Sequence, residues 1–184
     1  YTTELIENGI KPIFVCTQSL YGEGRNYNFS NMSQADWERY TVEFTDAVGQ
    51  IASQYSNKPS IIWEIFNEMD GPANDDRFMH IPPVVYGNLF RSVRNRIKSV
   101  NQQFKIINGG LLQGAGDVVN YLKIANIFNI LDGISIHPYH QGSKKNPDYR
   151  YYGNIEDYMA IIRAYSGSKP LYLTEYGVLD KKDD

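Results

Sequence analysis

The sequence has 184 residues, of which 42% are hydrophobic and 21% charged, and this is enough material for one globular domain with a sizeable core. The formal net charge is −3 and the basic residues form no stripe, which argues against a nucleic-acid partner. No apolar run is long enough to span a membrane, and the single cysteine, Cys16, excludes an internal disulfide.

Short apolar runs alternate with amphipathic segments along the chain. The runs predict five strands, at residues 12–17, 60–68, 104–108, 133–138 and 171–175. The segments between them predict four helices, one of about twenty residues capped by Ser33 and three more at 84–100, 117–128 and 155–165. This alternation indicates a parallel sheet with right-handed crossovers, either doubly wound or closed as a (β/α)₈ barrel.

Two of the predicted helices have a distinct apolar or basic face. The first long helix should turn to the core the apolar side chains that recur at helical spacing, which are Trp37, Tyr40, Val42 or Phe44, Ala47 and Ile51. The helix at 84–100 carries a basic face formed by Arg91, Arg94, Arg96 and Lys98. We interpret that face as solvated rather than as a binding patch.

Three strands end in groups suited to acid–base or nucleophilic chemistry. The tips are Asn67-Glu68, His137-Pro138-Tyr139 and Thr174-Glu175-Tyr176. The carboxyl ends of parallel strands lie on one face of a sheet, so the three tips should meet in one cleft. Two carboxylates with a His and a Tyr are suited to glycosidic bond cleavage, in which one carboxyl donates a proton and the other stays ionised. The alternative is that each Glu is a structural carboxylate that caps a neighbouring helix, and it is weak for three strand ends at once.

A further carboxylate, Glu64, precedes Glu68 by four residues in the same strand. With a period of two along a strand, both side chains should share one face and point into the barrel. A buried carboxylate must be paired or protonated, so we predict a structural role for Glu64 with a hydrogen-bond donor from a neighbouring strand.

The motifs at the strand tips resemble those of the clan A retaining glycoside hydrolases, cellulase-like enzymes of the family 5 or family 39 type. The matching segments are W-E-I-F-N-E at 63–68, H-P-Y at 137–139 and L-T-E-Y-G at 173–177. The resemblance implies that Glu68 is the general acid/base and Glu175 the nucleophile of a retaining double displacement, without cofactor or metal. It also implies substrate-binding roles for Asn67, which would bind the sugar 2-hydroxyl, for Tyr139, which would donate to Glu175, and for His137 and Tyr176.

The resemblance further implies a (β/α)₈ TIM barrel that is incomplete in this chain. Residues 1–184 would form a single, partial catalytic domain with barrel strands three to seven, and both of its edge strands would expose unpaired backbone groups. The parent protein would act on β-linked oligo- or polysaccharides such as a glucan, mannan or xylan, and a secreted or periplasmic location would suit it. Aromatic and His side chains in the loops offer faces for sugar stacking: Tyr21, Tyr27, Phe29, Phe78, His80, Tyr149, Tyr151 and Tyr152.

Two other functions remain open on the sequence alone. A catalytically degenerate barrel would keep the cleft and bind carbohydrate without turnover. A doubly wound nucleotide-binding domain would need a phosphate loop, and the glycines at 109–110 and 114–116 do not form the G-x-G-x-x-G pattern.

Overall fold

The computed structural model describes residues 2–20, 29–73, 80–139 and 155–177. The strands are β1 Ile13–Cys16, β2 Ile62–Asn67, β3 Lys105–Gly110, β4 Ile134–Ile136 and β5 Leu171–Leu173. The helices are α1 Thr2–Glu7, α2 Gln34–Gln54, α3 Pro83–Val100, α4 Ala115–Ala125 and α5 Ile155–Ser166. Single 3₁₀ turns lie at Gln18–Leu20, Phe29–Asn31 and Phe128–Ile130. The predicted alternation of strand and helix is therefore confirmed.

The described strands follow one another in space in the order of the chain. β1, β2 and β3 form one parallel sheet, β4 pairs with β5 in parallel, and two isolated parallel bridges join β3 to β4. Between β3 and β4, the Asn108 side chain replaces some backbone hydrogen bonds of the ladder. Its amide donates to the Ser135 carbonyl at 2.8 Å and accepts from the Ser135 N–H at 3.1 Å. A doubly wound sheet reverses its strand order, whereas this sequential order is that of a (β/α)₈ barrel.

The central strand β2 lies in the middle of the core, and its residues up to Phe66 are buried. Helices α2 and α3 cover its outer face, where the Phe44 ring packs 4.9 Å from that of Phe66. Of the two candidates in α2, Phe44 faces the core and Val42 is 62% exposed. Burying one such aromatic ring stabilises the fold by about 1.5–3 kcal/mol.

The predicted cap of α2 is present. The Ser33 hydroxyl accepts from the Asp36 N–H at 3.2 Å, and the Asp36 carboxylate accepts from the Ser33 N–H at 3.1 Å. This reciprocal capping box satisfies two amides that the first helical turn leaves free, and each such cap is worth about 1 kcal/mol.

The basic face of α3 is less solvated than the sequence predicts. Arg94 donates to the carbonyl of Ile130 at 2.8 Å, and Arg91 donates to those of Ala125 and Asn126 at the end of α4. Carbonyl groups at a helix C-terminus carry partial negative charge, so Arg91 joins α3 to the end of α4, and Arg94 joins α3 to the 3₁₀ turn that follows α4.

The two edges of the described sheet differ from its centre in exposure. Ile13 and Val15 on β1 are 37% and 45% exposed, and Leu173 on β5 is 46% exposed. Within the described ranges, no helix combines the length and the apolarity needed to cross a bilayer.

Candidate active site

The tip of β2 has an unusual backbone. Phe66 and Glu68 adopt φ angles of 72° and 48°, a left-handed conformation that costs a residue with a side chain about 1–3 kcal/mol. The Tyr86 hydroxyl lies inside the resulting break in the ladder, where it donates to the Ile65 carbonyl at 2.9 Å and accepts from the Gly109 N–H at 3.1 Å. Buried hydrogen bonds from α3 and β3 therefore hold the bend that precedes Glu68.

Gly109 is required at this bend. A Cβ atom at Gly109 would lie 2.4 Å from the carbonyl oxygen of Phe66, which is rigid backbone. Because Phe66 turns its carbonyl toward β3, only a residue without a side chain fits opposite it.

Three of the predicted side chains meet at the carboxyl ends of the strands. Glu68, His137 and Glu175 each place one donor atom within 4.8 Å of the others. The Nδ1 atom of His137 lies 3.0 Å from Oε1 of Glu68 and 3.9 Å from Oε2 of Glu175. The side chains of Glu68 and Glu175 are 19% and 45% exposed, so both carboxylates are open to solvent.

Tyr139 supports the second carboxylate. Its hydroxyl donates a short hydrogen bond to Oε2 of Glu175. Desolvation, this hydrogen bond and the negative charge of Glu175 raise the pKa of Tyr139 well above its ordinary value, so the phenol keeps its proton. A donated hydrogen bond stabilises the ionised form of the carboxylate that receives it.

The remaining predicted site residues lie around this cluster. Asn67 is half-buried at the tip of β2, and Tyr176 is 57% exposed beyond Glu175. His137 differs from the expectation that it lines the sugar subsite, because its side chain is 1% exposed. The ring occupies the space that Gly110 leaves, where a Cβ atom would lie 1.9 Å from its Nε2 atom. His137 therefore contacts the carboxylates from below and does not face the cleft.

Most of the aromatic side chains proposed for sugar stacking lie outside the described residues, namely Tyr21, Tyr27, Phe78, Tyr149, Tyr151 and Tyr152. Phe29 packs edge-on against Tyr40, with ring centroids 5.2 Å apart, and so belongs to the core. The His80 ring lies 2.7 Å from the Gly71 carbonyl, in the loop after β2.

Asp70 is a site residue that the sequence reading missed. It lies two residues after Glu68 and is 6% exposed, and its two oxygens accept from the N–H groups of Leu112 and Gln113 at 2.9–3.1 Å. Burial raises its pKa to about 6, although these hydrogen bonds favour the ionised form. Asp70 thereby ties the loop after β2 to the loop after β3. The local sequence, Asp-Gly-Pro at 70–72, predicts a turn but does not predict hydrogen bonds to amides some forty residues later in the chain.

The prediction that Glu64 is paired is confirmed. Its side chain is fully buried, and Oε1 accepts from the hydroxyls of Ser135 at 2.7 Å and Thr174 at 2.9 Å. Burial raises the pKa of Glu64, and the two hydroxyl donors oppose that shift. The donors come from farther round the barrel than the predicted neighbouring strand, because Ser135 lies in β4, two strands from β2, and Thr174 directly precedes Glu175.

The His137 nitrogen and two carboxylates of the cluster are donor types that a divalent cation accepts. Ligands that share one tetrahedral zinc lie about 3.4 Å apart, given metal–ligand distances near 2.1 Å. The distance of 3.9 Å between His137 and Glu175 is wider than that, and the Nδ1 atom is already bonded to Glu68. Acid–base chemistry by the two carboxyl groups is the better fit to this geometry.

Comparison with solved structures finds several glycoside hydrolases of the same fold. A psychrophilic family 10 endo-β-1,4-xylanase is 16% identical with a TM-score of 0.59, and the alignment covers 95% of this chain and 56% of the xylanase chain. A family 39 glycoside hydrolase from the gut symbiont Bacteroides cellulosilyticus WH2 is 23% identical with a TM-score of 0.54, and the alignment covers 96% of this chain and 38% of that enzyme. The family 39 enzyme from Xanthomonas axonopodis pv. citri is 20% identical with a TM-score of 0.52, and the alignment covers 77% of this chain and 30% of that enzyme. The chain thus spans roughly a third to a half of these structures.

No curated protein matches the sequence. Among protein families, the one described as Cellulase (glycosyl hydrolase family 5) matches residues 4–184. Families 5, 10 and 39 are all in clan A, so the resemblance of the strand-tip motifs to that clan is confirmed. With nearly its whole length matched and a parallel series of strands that carries two carboxylates at one mouth, this chain belongs to the cellulase family, glycosyl hydrolase family 5.

Proposed function

We propose that the protein cleaves β-glycosidic bonds in oligo- or polysaccharides by a retaining double displacement, with Glu68 as general acid/base and Glu175 as nucleophile. The observation that carries this proposal is the approach of the two carboxylates, one oxygen of each within 4.8 Å at the same mouth of the sheet. Retaining pairs lie about 5–5.5 Å apart and inverting pairs about 6.5–9.5 Å, with a water between them. This close approach of two oxygens, one from each carboxylate, supports the retaining assignment.

The reaction takes two steps. In the first, Glu68 gives its proton to the glycosidic oxygen while Glu175 attacks the anomeric carbon, so the glycosidic bond breaks and a covalent glycosyl–enzyme forms. In the second, Glu68 takes a proton from a water molecule, the water oxygen attacks the same carbon, and the bond to Glu175 breaks. Two inversions at one carbon give retention.

The surroundings of the two carboxylates suit this division of roles. Glu175 is the more exposed of the two and accepts a hydrogen bond from the Tyr139 hydroxyl, which orients it for attack. Glu68 is less exposed and lies against the imidazole of His137, which can share a proton with it. The half-buried Asn67 is placed to reach a sugar hydroxyl next to Glu68.

We propose residues 1–184 as part of one catalytic domain that acts on a β-linked substrate. The cellulase family and the β-linked activities of two similar structures, an endo-β-1,4-xylanase and a β-xylosidase from Caulobacter crescentus CB15, favour glucan and xylan for first trials. Mannan completes the panel. Nucleic acid is not among the proposed partners.

The test uses the longest natural protein that carries this sequence. NMR of the anomeric proton during hydrolysis of the panel should show a first-formed product with the substrate's β configuration. Glu175→Ala should abolish turnover, and azide should rescue it with the inverted α-azide, whereas azide with Glu68→Ala should give the β-azide. An inverted first product would contradict the mechanism, and binding without product would favour a degenerate carbohydrate-binding barrel.

A further inference from the structure

The strongest unexplained feature of the site is the fully buried carboxylate of Glu64 beneath it. Two hydroxyl groups converge on one of its oxygens, Oε1, while Oε2 has no hydrogen-bond partner among the described residues. Because both hydroxyls donate to Oε1, that oxygen is an acceptor. The cleavage chemistry does not use Glu64 directly, yet a chain of hydrogen bonds joins it to Glu68.

That chain passes through Thr174 and His137. The Thr174 hydroxyl lies 2.9 Å from Oε1 of Glu64 and 3.1 Å from Nε2 of His137. A hydroxyl carries one hydrogen, and next to a carboxylate that hydrogen points at the carboxylate or at Ser135, which itself donates to Glu64. With that hydrogen directed at Glu64, Thr174 accepts from His137, and the Nε2 atom of the ring then carries a hydrogen.

The placement of this hydrogen decides what the other ring nitrogen does. In a neutral imidazole with Nε2–H, the Nδ1 atom is an acceptor, and it lies 3.0 Å from Oε1 of Glu68. A contact of that length needs one proton between the two atoms. Protonated Glu68 supplies it, or the ring holds it as an imidazolium, and in both cases the pair keeps the proton that the leaving group will need.

We propose that Glu64 is a positioning residue that acts through Thr174 to fix the tautomer of His137 and thereby keeps a proton on the His137–Glu68 pair. The catalytic significance of this relay rests on the proposed role of Glu68 as general acid, whereas the tautomer itself does not. A second observation supports a fixed ring: Gly110 of β3 leaves a space that the His137 ring fills, so rotation would be blocked.

The charges around the ring are accounted for on each side. Glu64 and Glu68 face it from β2, Glu175 faces it from the end of β5 at 3.9 Å, and Tyr139 follows it beyond β4 with its ring centroid 6.2 Å away. β3 faces it with Gly110, which has no side chain. Three carboxylates therefore surround the one imidazole.

The decisive measurement is the pair of ¹⁵N shifts of the His137 ring in uniformly labelled wild-type chain, assigned by comparison with His137→Asn. We expect Nε2 to carry a hydrogen at neutral pH, in the neutral Nε2–H tautomer or in the imidazolium, and an Nδ1–H tautomer in the wild type would overturn the proposal. Thr174→Val removes the hydroxyl that connects Glu64 to the ring, and it should abolish the tautomer preference.

Two further variants separate the relay from a general packing effect. Ser135→Ala removes the other hydroxyl on Glu64 but leaves the contact between Thr174 and His137, so the tautomer should persist. Thr174→Ser restores a hydroxyl and should restore the wild-type ring shifts. An unchanged tautomer in Thr174→Val would contradict the relay; should that variant not fold, the wild-type shifts still decide.

Failure of the relay and failure of the proposed function give different results. If the relay is wrong, Thr174→Val leaves the ring shifts and the pH profile of kcat/KM unchanged, while Glu68→Gln still abolishes turnover. If Glu68 is not the acid, the ring shifts respond to Thr174→Val but the pH profile does not. When both hold, the ring shifts change and the limb of the kcat/KM profile that reports Glu68 moves in the same variant, with Ser135→Ala close to wild type.

Discussion

Glu68 and Glu175 lie on two sides of one cleft, and the chain holds them by different means. Glu68 ends the most buried strand, on a bend that Tyr86 and Gly109 hold from within the core, and Asp70 anchors the loop that follows. Glu175 follows a three-residue strand whose last residue, Leu173, is 46% exposed, and the Tyr139 hydroxyl is its closest support.

The difference predicts whether disturbing the support of each carboxylate lowers stability or activity. On the acid side, the same buried hydrogen bonds that place Glu68 also belong to the core, so disturbing them should cost folding free energy. On the nucleophile side, the supporting contacts lie near the surface, so disturbing them should cost activity with little loss of stability. The free energy of unfolding, and kcat where the variant folds, distinguish the two sides.

The largest effect is expected for Gly109→Ala. The added Cβ would lie 2.4 Å from the Phe66 carbonyl oxygen and 2.7 Å from that of Ile65, and neither backbone atom can move without breaking the β2–β3 ladder. We expect a loss of more than about 3 kcal/mol in the free energy of unfolding, or no folded protein. Gly177→Ala is the matched change beside Glu175, where the contact is a Tyr139 ring carbon at 3.1 Å. Urea denaturation should show a loss below about 1 kcal/mol there, and equal losses at the two positions would contradict the comparison.

The second prediction concerns pH and Asp70. The folded-state pKa of about 6 lies above the ordinary value, so the folded protein holds this proton to higher pH than the unfolded chain does. The contribution to stability is present below about pH 4 and is lost as pH rises to 6, by up to about 3 kcal/mol for a shift of this size.

Unfolding free energies of wild type and Asp70→Asn, measured from pH 4 to pH 7, isolate this contribution as their difference. The difference should decline across the window, because the variant lacks the titrating group. Asp117→Asn, at an exposed position in α4, should leave the wild-type pH dependence unchanged. A difference that is flat or rises with pH would show that the hydrogen bonds from Leu112 and Gln113 outweigh burial.

Tyr86→Phe removes only the hydroxyl that bridges the Ile65 carbonyl and the Gly109 N–H. Both backbone groups then lose a buried partner, and we expect a loss of about 1–3 kcal/mol in stability together with a lower kcat. Tyr121→Phe is the matched control, since its hydroxyl donates to the Ile81 carbonyl at 2.7 Å and touches neither β2 nor β3. It should lose similar stability and keep kcat; a fall in kcat for both would mean that the bend has no special role.

The sequence was informative where function and local pattern coincide. Alternating strands and helices place Glu68 and Glu175 at the same ends of parallel strands, and the carboxylates do meet there. Period-two alternation likewise puts Glu64 on the inward face, where it is buried and paired. These predictions need only the direction of a side chain along a strand.

Contacts between distant segments could not be predicted in the same way. The anchoring of Asp70 depends on two backbone amides of a loop in another βα unit. The role of Tyr86 depends on a break in the β2–β3 ladder, which no local sequence pattern predicts. The burial of His137 follows from an absent side chain at Gly110, which lies 27 residues earlier in the sequence. Such features depend on which residues the barrel brings opposite one another, not on propensity.

The smallest change in stability is expected for Tyr139→Phe, on the nucleophile side. The lost hydrogen bond joins a surface phenol to a carboxylate that is 45% exposed, so the loss should stay below about 1 kcal/mol. Without that donor the ionised form of Glu175 is less favoured, and we expect kcat to fall roughly 10²-fold, as for the loss of one donor to a charged centre. Tyr165→Phe, whose ring packs on Phe128 away from the cleft, is the control for an equivalent loss of a phenol oxygen and should keep kcat. Because Tyr86→Phe should change stability and kcat together whereas Tyr139→Phe should change kcat almost alone, parallel measurement of the two variants distinguishes a carboxylate placed by the core from one placed at an edge.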